Sequence, residues 1–472
     1  MKERCRQILK GFTITLMTIQ IILGMVYFFF AFFSVVSKGI LVSRFQESLE
    51  YLAAAKSGMW DEYMAPLYPL ILKIFTSLEN LTGISYQIPL FFLQIMAGFV
   101  SIYFLLKAMN LGKSVYNRIF LTLFLMSMPL VSQWYVSVLP QAFAISACLM
   151  ATAAVIEEKN NLSTYLKVFL GLVIAGLILE EMVWILAVAI MLYVFIKLVK
   201  KIRGTMGLNT RFFCIVLTIT IISAAGAVIV DKVSCKPNSG GKVQKSLASV
   251  WVQKVVYPYY ELNYTFFDNS VKLVMNKETA QTLSKRYDNF LYQGDDVFDN
   301  IVGREEAKRL YWSMIKTSFS FRTKENLENL ALQTASCLFV PVRVMLDFQG
   351  KTSSLSGWNY SRMMETKQQF VVFYMWYGVA IEILFMVMTG INIFIRFLKN
   401  IFKSENLIGG ESTNGNSPYQ LRGWTLWSIL IMVCVFYQIL FQASLFDYKN
   451  IILISLFWGS LWAATDSVSA IE

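Results

Sequence analysis

The stretch "YLKVFLGLVIAGLILEEMVWILAVAIMLYVFIKLV", from Tyr165 to Val199, decides the fold class. It is almost uniformly apolar, and its middle is interrupted only by the adjacent acids Glu180 and Glu181. As a single helix it would reach about 52 Å at 1.5 Å per residue, whereas the hydrocarbon core of a bilayer is about 30 Å thick. The stretch therefore predicts two membrane-spanning helices joined by a tight turn at Glu180 and Glu181.

The composition extends this interpretation to the whole chain. Of 472 residues, 56% are hydrophobic and only 15% are charged, whereas a soluble domain carries about 25% charged residues. The apolar runs are too long and too numerous to be a cleaved signal peptide. The net charge of +12 indicates topology and anionic lipid rather than nucleic acid as a partner. We therefore expect an all-α polytopic membrane protein.

The apolar runs and the basic residues predict a topology. The runs give about ten spans, at residues 12–36, 86–106, 118–133, 138–156, 163–179, 182–199, 211–231, 369–395, 424–443 and 449–466. Lys and Arg concentrate at the N-terminus and in every second loop after it. By the positive-inside rule both termini then lie in the cytoplasm, and we expect an integral protein of a bacterial plasma membrane.

Three regions follow from this topology. Residues 1–231 form a transmembrane core with a first external loop at 37–85. Residues 232–368 form a mainly helical external segment, because the stretches "GREEAKRLYWSMIKTSF" and "KENLENLALQTASCLFVPVRVML" have helical periodicity. Residues 369–472 form the C-terminal spans, with a cytoplasmic linker at 396–423.

Cysteine and histidine usage limits the chemistry. The six cysteines are scattered, and Cys235 with Cys337 is the one pair that could meet outside the membrane, as a disulfide or as two separate thiols. The chain has no histidine, which removes the commonest zinc ligand and the commonest general base. Any catalysis must use carboxylates, Lys, Tyr or a group on the substrate. No cofactor is predicted, and a divalent metal is not excluded.

The first external loop is rich in acids. It contains "FQESLEYLAAAKSGMWDEYMAPLYPLIL", from Phe45 to Leu72. The part "ESLEYLAAAKSG" predicts a helix whose apolar face holds Leu49, Leu52 and Ala53. After the Pro-Leu-Tyr-Pro turn, "PLYPLILKIF" predicts a second short apolar helix that returns to the bilayer.

This loop resembles the first external loop of GT-C glycosyltransferases. The pattern is Asp-Ser-x-x-Tyr-x-x-x-Ala, about ten residues, then Pro-Leu-Tyr-Pro and a Leu/Ile run; here it reads "ESLEYLAAA…APLYPLIL". The resemblance is narrowest to the protein mannosyltransferase and aminoarabinose-transferase type, and its organisation covers about residues 10–230. It implies a GT-C-like fold with short external juxtamembrane helices. It also implies transfer of a sugar from a polyprenyl-phosphate donor to a cell-envelope acceptor on the outer face.

The resemblance also implies roles for residues. Glu47 stands at the position of the catalytic Asp and would act as the base, or would orient the acceptor. This chain has Gln141 where a second acid is common, and Glu180-Glu181 where Arg-Pro is common. Either Glu180 or Glu181 supplies the second acid, or the catalytic set has decayed. The acceptor cavity would be lined by Glu50, Tyr51, Tyr68 and Gln141. Lipid phosphate would contact the external bases Arg44, Lys56, Lys242, Lys245 and Arg343.

Other interpretations stay open at this stage. Glu47 and Glu50 would also suit a solvated end of an interfacial helix. Glu382 lies mid-span, where a lipid-facing charge costs roughly 2.5–3.5 kcal/mol, so it must face the bundle, be protonated or have a partner; we expect structural pairing. The competing functions are an envelope polysaccharide polymerase or ligase, a transporter or flippase, and a non-catalytic scaffold.

Overall fold

The computed structural model describes residues 2–38, 46–57, 65–112, 114–202, 209–234, 247–255, 304–342, 369–404, 418–441 and 448–464. Within these ranges every regular element is an α-helix, which confirms the all-α class. The chain separates into two compact units. Unit one comprises residues 1–236, 340–433 and 448–472, and unit two comprises residues 237–339 and 434–447. Residues 434–447 thus belong with the central segment.

Unit one contains the long apolar helices. In chain order they are α1 (Lys2–Lys38), α2 (Gln46–Ser57), α3 (Leu67–Thr82), α4 (Gln87–Ala108), α5 (Val115–Ser127), α6 (Pro129–Tyr135), α7 (Gln141–Glu157), α8 (Leu162–Ile178), α9 (Glu180–Ile202) and α10 (Thr210–Ser234). After unit two come α14 (Gln369–Ser404), α15 (Pro418–Phe441) and α16 (Tyr448–Ala464). The predicted helical segments are therefore present, with ends that differ by a few residues for most of them.

Six helices among the described residues are long and apolar enough to cross a membrane. They are the apolar parts of α1, α4, α9, α10, α14 and α15, and the bent pair α5–α6 makes a seventh if it counts as one span. The helices α7, α8 and α16 are apolar but shorter than 18 residues. The chain is an integral membrane protein, and the ten-span count and the direction of its termini stay predictions.

The centre of unit one is built around α7, whose side chains are almost all buried from Gln141 to Ile156. It packs against α4 on one side and α8 on the other. A Cβ on Gly171 of α8 would overlap Ala151 and the carbonyl of Ala147, so glycine allows the two backbones to meet. Small residues at close helix contacts are typical of packing inside membranes.

One predicted span is broken. The sequence predicts an unbroken helix over 118–133, but α5 ends at Ser127 and α6 begins at Pro129, bent by 81°. Met128 is extended (φ −63°, ψ 129°), as expected for a residue that precedes proline. Pro129 lacks an N–H and so suits the first position of a new helix.

Unit two contains three described helices besides the end of α15. They are α11 (Leu247–Val255), α12 (Arg304–Phe321) and α13 (Thr323–Leu338), so the first stretch with helical periodicity lies in a helix and the second does so as far as Leu338. Polar side chains join them: Ser318 Oγ donates to the Val255 carbonyl (3.2 Å), and Asn329 Nδ2 donates to the Lys254 carbonyl (3.1 Å). Cys337 is buried here. Cys235 lies outside the described residues, so their pairing stays a prediction.

Candidate functional site

The two short helices α2 and α3, which lie between α1 and α4 in the chain, pack against each other. The ring of Tyr51 in α2 meets the ring of Tyr68 in α3 edge to face, with centroids 5.2 Å apart. The predicted apolar face is not the face that packs inside the protein: Leu49 is more than half exposed, whereas Tyr51 and Ala55 are buried. An apolar side chain at a membrane surface gains from facing lipid, so the face toward α3 takes small and aromatic residues instead.

Tyr68 is the most enclosed residue of the pair. It lies in the first turn of α3, has no exposed surface, and its ring lies tilted against Phe143 of α7, with centroids 6.3 Å apart. Its hydroxyl has no hydrogen-bond partner among the described residues. Burial, and then the neighbouring phenols of Tyr51 and Tyr86, hold the pKa of Tyr68 well above its usual value. Tyr68 is therefore a neutral phenol that can donate a hydrogen bond to a bound hydroxyl or phosphate.

Three buried glutamines lie in α4 and α7, the helices that begin at Gln87 and Gln141. Gln141 is the first residue of α7, is 5% exposed, and its Oε1 has no hydrogen-bond partner in the described part of the chain. Gln94 of α4 donates to the carbonyls of Ser137 (3.0 Å) and Leu139 (3.3 Å), which fixes the turn before α7. Gln87 donates to the hydroxyl of Tyr86 (3.4 Å). We call Tyr51, Tyr68, Tyr86, Gln87, Gln94 and Gln141 the tyrosine–glutamine cluster.

The carboxylates predicted for catalysis occupy two helix starts. Glu47 lies in the first turn of α2, one turn before Tyr51, and its side chain is outside what the structure describes. Glu50 is half-buried one turn further along. Glu180 and Glu181 form the first turn of α9, directly after α8 ends, and both are half-buried. The predicted division into two helices is present, but the break lies at Leu179 and both acids belong to the helix that follows it.

Of the bases predicted to contact lipid phosphate, the structure describes Lys56. Lys56 lies in the last turn of α2 and is exposed. Arg44, Lys242, Lys245 and Arg343 lie outside the described residues, so their role stays a prediction. A search of the described residues finds no group of three or more Asp, Glu, His or Cys side chains able to hold a metal.

A second polar cluster surrounds the break between α5 and α6. Glu382 of α14 is 2% exposed, and Ser455 Oγ of α16 donates to its Oε2 (3.2 Å). Tyr374, two turns earlier in α14, donates to the Ser127 carbonyl (2.5 Å) and shares a hydrogen bond with Ser132 (2.8 Å). Glu382 thus faces the bundle as expected, but its partner in the described part of the chain is a hydroxyl rather than a cation. We call Glu382, Tyr374, Ser132 and Ser455 the break cluster.

The sequence missed one buried ion pair. Lys197 of α9 is 5% exposed and donates to Glu158 Oε1 (2.6 Å), which also accepts from the Tyr193 hydroxyl (2.9 Å). Glu158 ends α7 in the left-handed region (φ 50°), where glycine is the usual residue. That conformation is visible only in the structure; the available sequence signal was Lys197 within the apolar run of α9. No known protein family, characterised protein or solved structure matches the chain.

Proposed function

We propose that the chain is a membrane glycosyltransferase of GT-C type. It would move a sugar from a polyprenyl-phosphate donor to a cell-envelope acceptor on the outer face of the membrane. The observation that carries this proposal is the packing of α2 on α3 between two long apolar helices, with Tyr51 and Tyr68 at the contact. A soluble substrate and a lipid-linked one can meet at such a pair of juxtamembrane helices.

The tyrosine–glutamine cluster supports the proposal through its chemistry. A neutral phenol and amide groups bind sugar hydroxyls without adding charge, and Tyr68 Oη and Gln141 Oε1 each lack a hydrogen-bond partner among the described residues. A buried polar atom without a partner costs about 1–3 kcal/mol, so a bound ligand hydroxyl would relieve that cost. Phe143 and the rings of the two tyrosines add surfaces on which a sugar ring can stack.

The reaction assigns a role to each carboxylate. The acceptor hydroxyl attacks the anomeric carbon, the bond from that carbon to the phosphate oxygen breaks, and the lipid phosphate leaves. Glu47 takes the proton of the acceptor hydroxyl, which as general base contributes about 10²–10⁴-fold to the rate. Glu180 or Glu181 is the second acid, and the external bases neutralise the phosphate that leaves.

The test is sugar transfer by purified protein in lipid nanodiscs. A panel of labelled polyprenyl-phosphate sugars is incubated with wild type, Glu47→Gln, and the pair Glu180→Gln and Glu181→Gln. Glu79→Gln, in the last turn of α3, is the matched control. We expect turnover that falls at least about a hundredfold in Glu47→Gln and is unchanged in Glu79→Gln. Equal turnover in wild type and Glu47→Gln would remove Glu47 from the mechanism.

The broken helix α5–α6 favours a second candidate, a transporter or flippase for a lipid-linked substrate. Discontinuous helices and buried ionisable residues are recurrent features of transport sites inside membranes. This candidate predicts no turnover with any donor, together with movement of a fluorescent polyprenyl-phosphate lipid between leaflets of proteoliposomes. Turnover without lipid movement would exclude it.

A further inference from the structure

Glu382 is the buried acid that the proposed transfer chemistry does not use. It lies near the middle of the apolar part of α14, which runs from Phe373 to Ile391. Its Oε2 accepts from Ser455, its carboxylate also meets the backbone amide of Leu130, and its Oε1 has no hydrogen-bond partner among the described residues. An ionised carboxylate needs a cation or several donors when it leaves water, and this site supplies one hydroxyl and one amide.

The groups around Glu382 are neutral. The helices α1, α6 and α16 pack against α14. Among the described side chains of α1 and α14, the titratable groups near Glu382 are the phenols of Tyr27 and Tyr374. Their rings stack with centroids 4.8 Å apart. Ser132 of α6 and Ser455 of α16 present hydroxyls. Lys449 begins α16, and its side chain lies outside the described residues.

The break between α5 and α6 lies directly against this acid. The break leaves backbone groups at membrane depth without their helical hydrogen bonds. The Ser127 carbonyl instead accepts hydrogen bonds from Gln20 Nε2 (2.5 Å) and from the Tyr374 hydroxyl (2.5 Å). A Cβ on Gly378 would overlap the ring of Pro129, so glycine brings α14 against the break. Non-helical backbone at this depth is tolerated where protein buries it or where it lines a water-filled path.

We propose that Glu382 is a proton-binding site in the membrane core. It holds a proton in the packed arrangement described above, and it releases the proton when the α5–α6 break admits water. The proposal is independent of the transferase function, because it uses none of the residues of the tyrosine–glutamine cluster. It assigns to the break cluster the loading and unloading of a proton during the working cycle of the protein.

The test is infrared difference spectroscopy of wild type in lipid, recorded as pH is raised. The C=O stretch of a protonated carboxylic acid should disappear reversibly, and its frequency should shift in D₂O. Glu382→Gln should lack this change, whereas Glu79→Gln should retain it. Replacing K⁺ by Na⁺ at constant pH should leave the band unchanged.

A second variant keeps the proposal falsifiable if Glu382→Gln does not fold. Ser455→Ala removes the hydroxyl that donates to the carboxylate. We expect a proton affinity that is roughly threefold to tenfold higher, because that hydrogen bond favours the ionised form. Two results would overturn the proposal: spectra of wild type that keep or lack the band at every pH, or a band that Na⁺ removes at constant pH.

Discussion

Among the described residues of unit one, one lysine and one glutamate lie almost fully buried, Lys197 and Glu382, and they are stabilised in opposite ways. Lys197 is paired with a carboxylate 2.6 Å away and lies over the rings of Tyr193 and Phe213, at 5.2 Å and 5.9 Å. Glu382 contacts the hydroxyl of Ser455 and a backbone amide. The carboxylate of Glu158 neutralises the charge of Lys197. The described residues provide no cation against Glu382.

The difference indicates two kinds of use. Lys197 and Glu158 join α9 to the end of α7, and separating them would remove a 2.6 Å contact between two largely buried opposite charges; the pair is therefore part of the scaffold. Glu382 can lose its charge by taking a proton, so it does not need a fixed partner. A group of that kind can change its state while the helices around it remain folded.

Lys254 of unit two is an intermediate case. It is 3% exposed, and its ammonium donates to the carbonyls of Gln438 (2.9 Å) and Ile439, in the last turn of α15. Carbonyl groups at a helix C-terminus carry partial negative charge, so they compensate the ammonium only in part. Burial lowers the pKa of Lys254 to about 8, although the neighbouring Cys337 acts in the opposite direction.

The largest effect is expected from breaking the ion pair. Lys197→Met leaves Glu158 at the end of α7 without its cation, and we expect a loss of about 3–5 kcal/mol in the free energy of unfolding. Unfolding in mixed micelles, followed by circular dichroism, measures it. The double variant Glu158→Gln, Lys197→Met should recover most of the loss. If Lys197→Met is as stable as wild type, the ion pair does not stabilise the fold.

Lys254 gives the next effect, which depends on pH. Its pKa is about 8 in the folded state and 10.5 ordinarily, so the unfolded chain binds more protons between these values and stability rises with pH there. Burial raises the pKa of Cys337 to about 11 from 9, so the thiol opposes that rise above pH 9. Unit two should therefore gain stability from about pH 8 to 9, by on the order of 1 kcal/mol.

Hydrogen exchange of the α11 amides, corrected for intrinsic rates, measures this gain. Lys254→Met should remove the rise. Cys337→Ala should extend it to about pH 10.5, because only the lysine then titrates in the window. A flat profile in wild type that Lys254→Met does not alter would mean that the ammonium is well compensated by the carbonyls of α15.

An effect of similar size is expected at the neutral end of the break cluster. Tyr374→Phe removes the hydrogen bonds to the Ser127 carbonyl and to Ser132, and we expect a loss of about 1–2 kcal/mol. Thermal unfolding in detergent measures it. Tyr377→Phe, on the same helix with a hydroxyl 3.5 Å from the Leu16 carbonyl, is the matched control and should lose less. Equal losses of stability in the two variants would mean that the hydrogen bonds of Tyr374 at the break contribute no more than that of Tyr377.

The sequence predicted these regions unequally. Helix positions follow from apolar runs and from the length limit of a bilayer, which are local properties. The interior direction of Glu382 follows from the cost of a charge in lipid. Its partner Ser455 is 73 residues away, and no spacing rule connects the two.

Two local signals existed but gave incomplete predictions. Lys197 lies inside the predicted span 182–199, but its pairing with Glu158 across 39 residues depends on how α7 and α9 pack. Pro129 lies inside the predicted span 118–133, and a proline at that position was a sign that the helix ends before it. The acids of the first loop were predicted to lie on a helix, but the face that α2 buries depends on α3 and on lipid.

The smallest effect, and the one that most sharpens the comparison, is expected from Glu382→Gln. Glutamine keeps the shape of a protonated glutamate and still accepts from Ser455, so we expect a change below about 1 kcal/mol at acid pH, where the wild-type carboxyl is protonated in the folded and unfolded states, against several for Lys197→Met. Wild type should lose stability as pH rises, since an ionised carboxylate is expensive in this environment. Glu382→Gln should not, and thermal unfolding of both proteins across pH measures the difference. A loss comparable to that of Lys197→Met at neutral pH would mean that Glu382 is ionised and paired, and the contrast between the two sites would disappear.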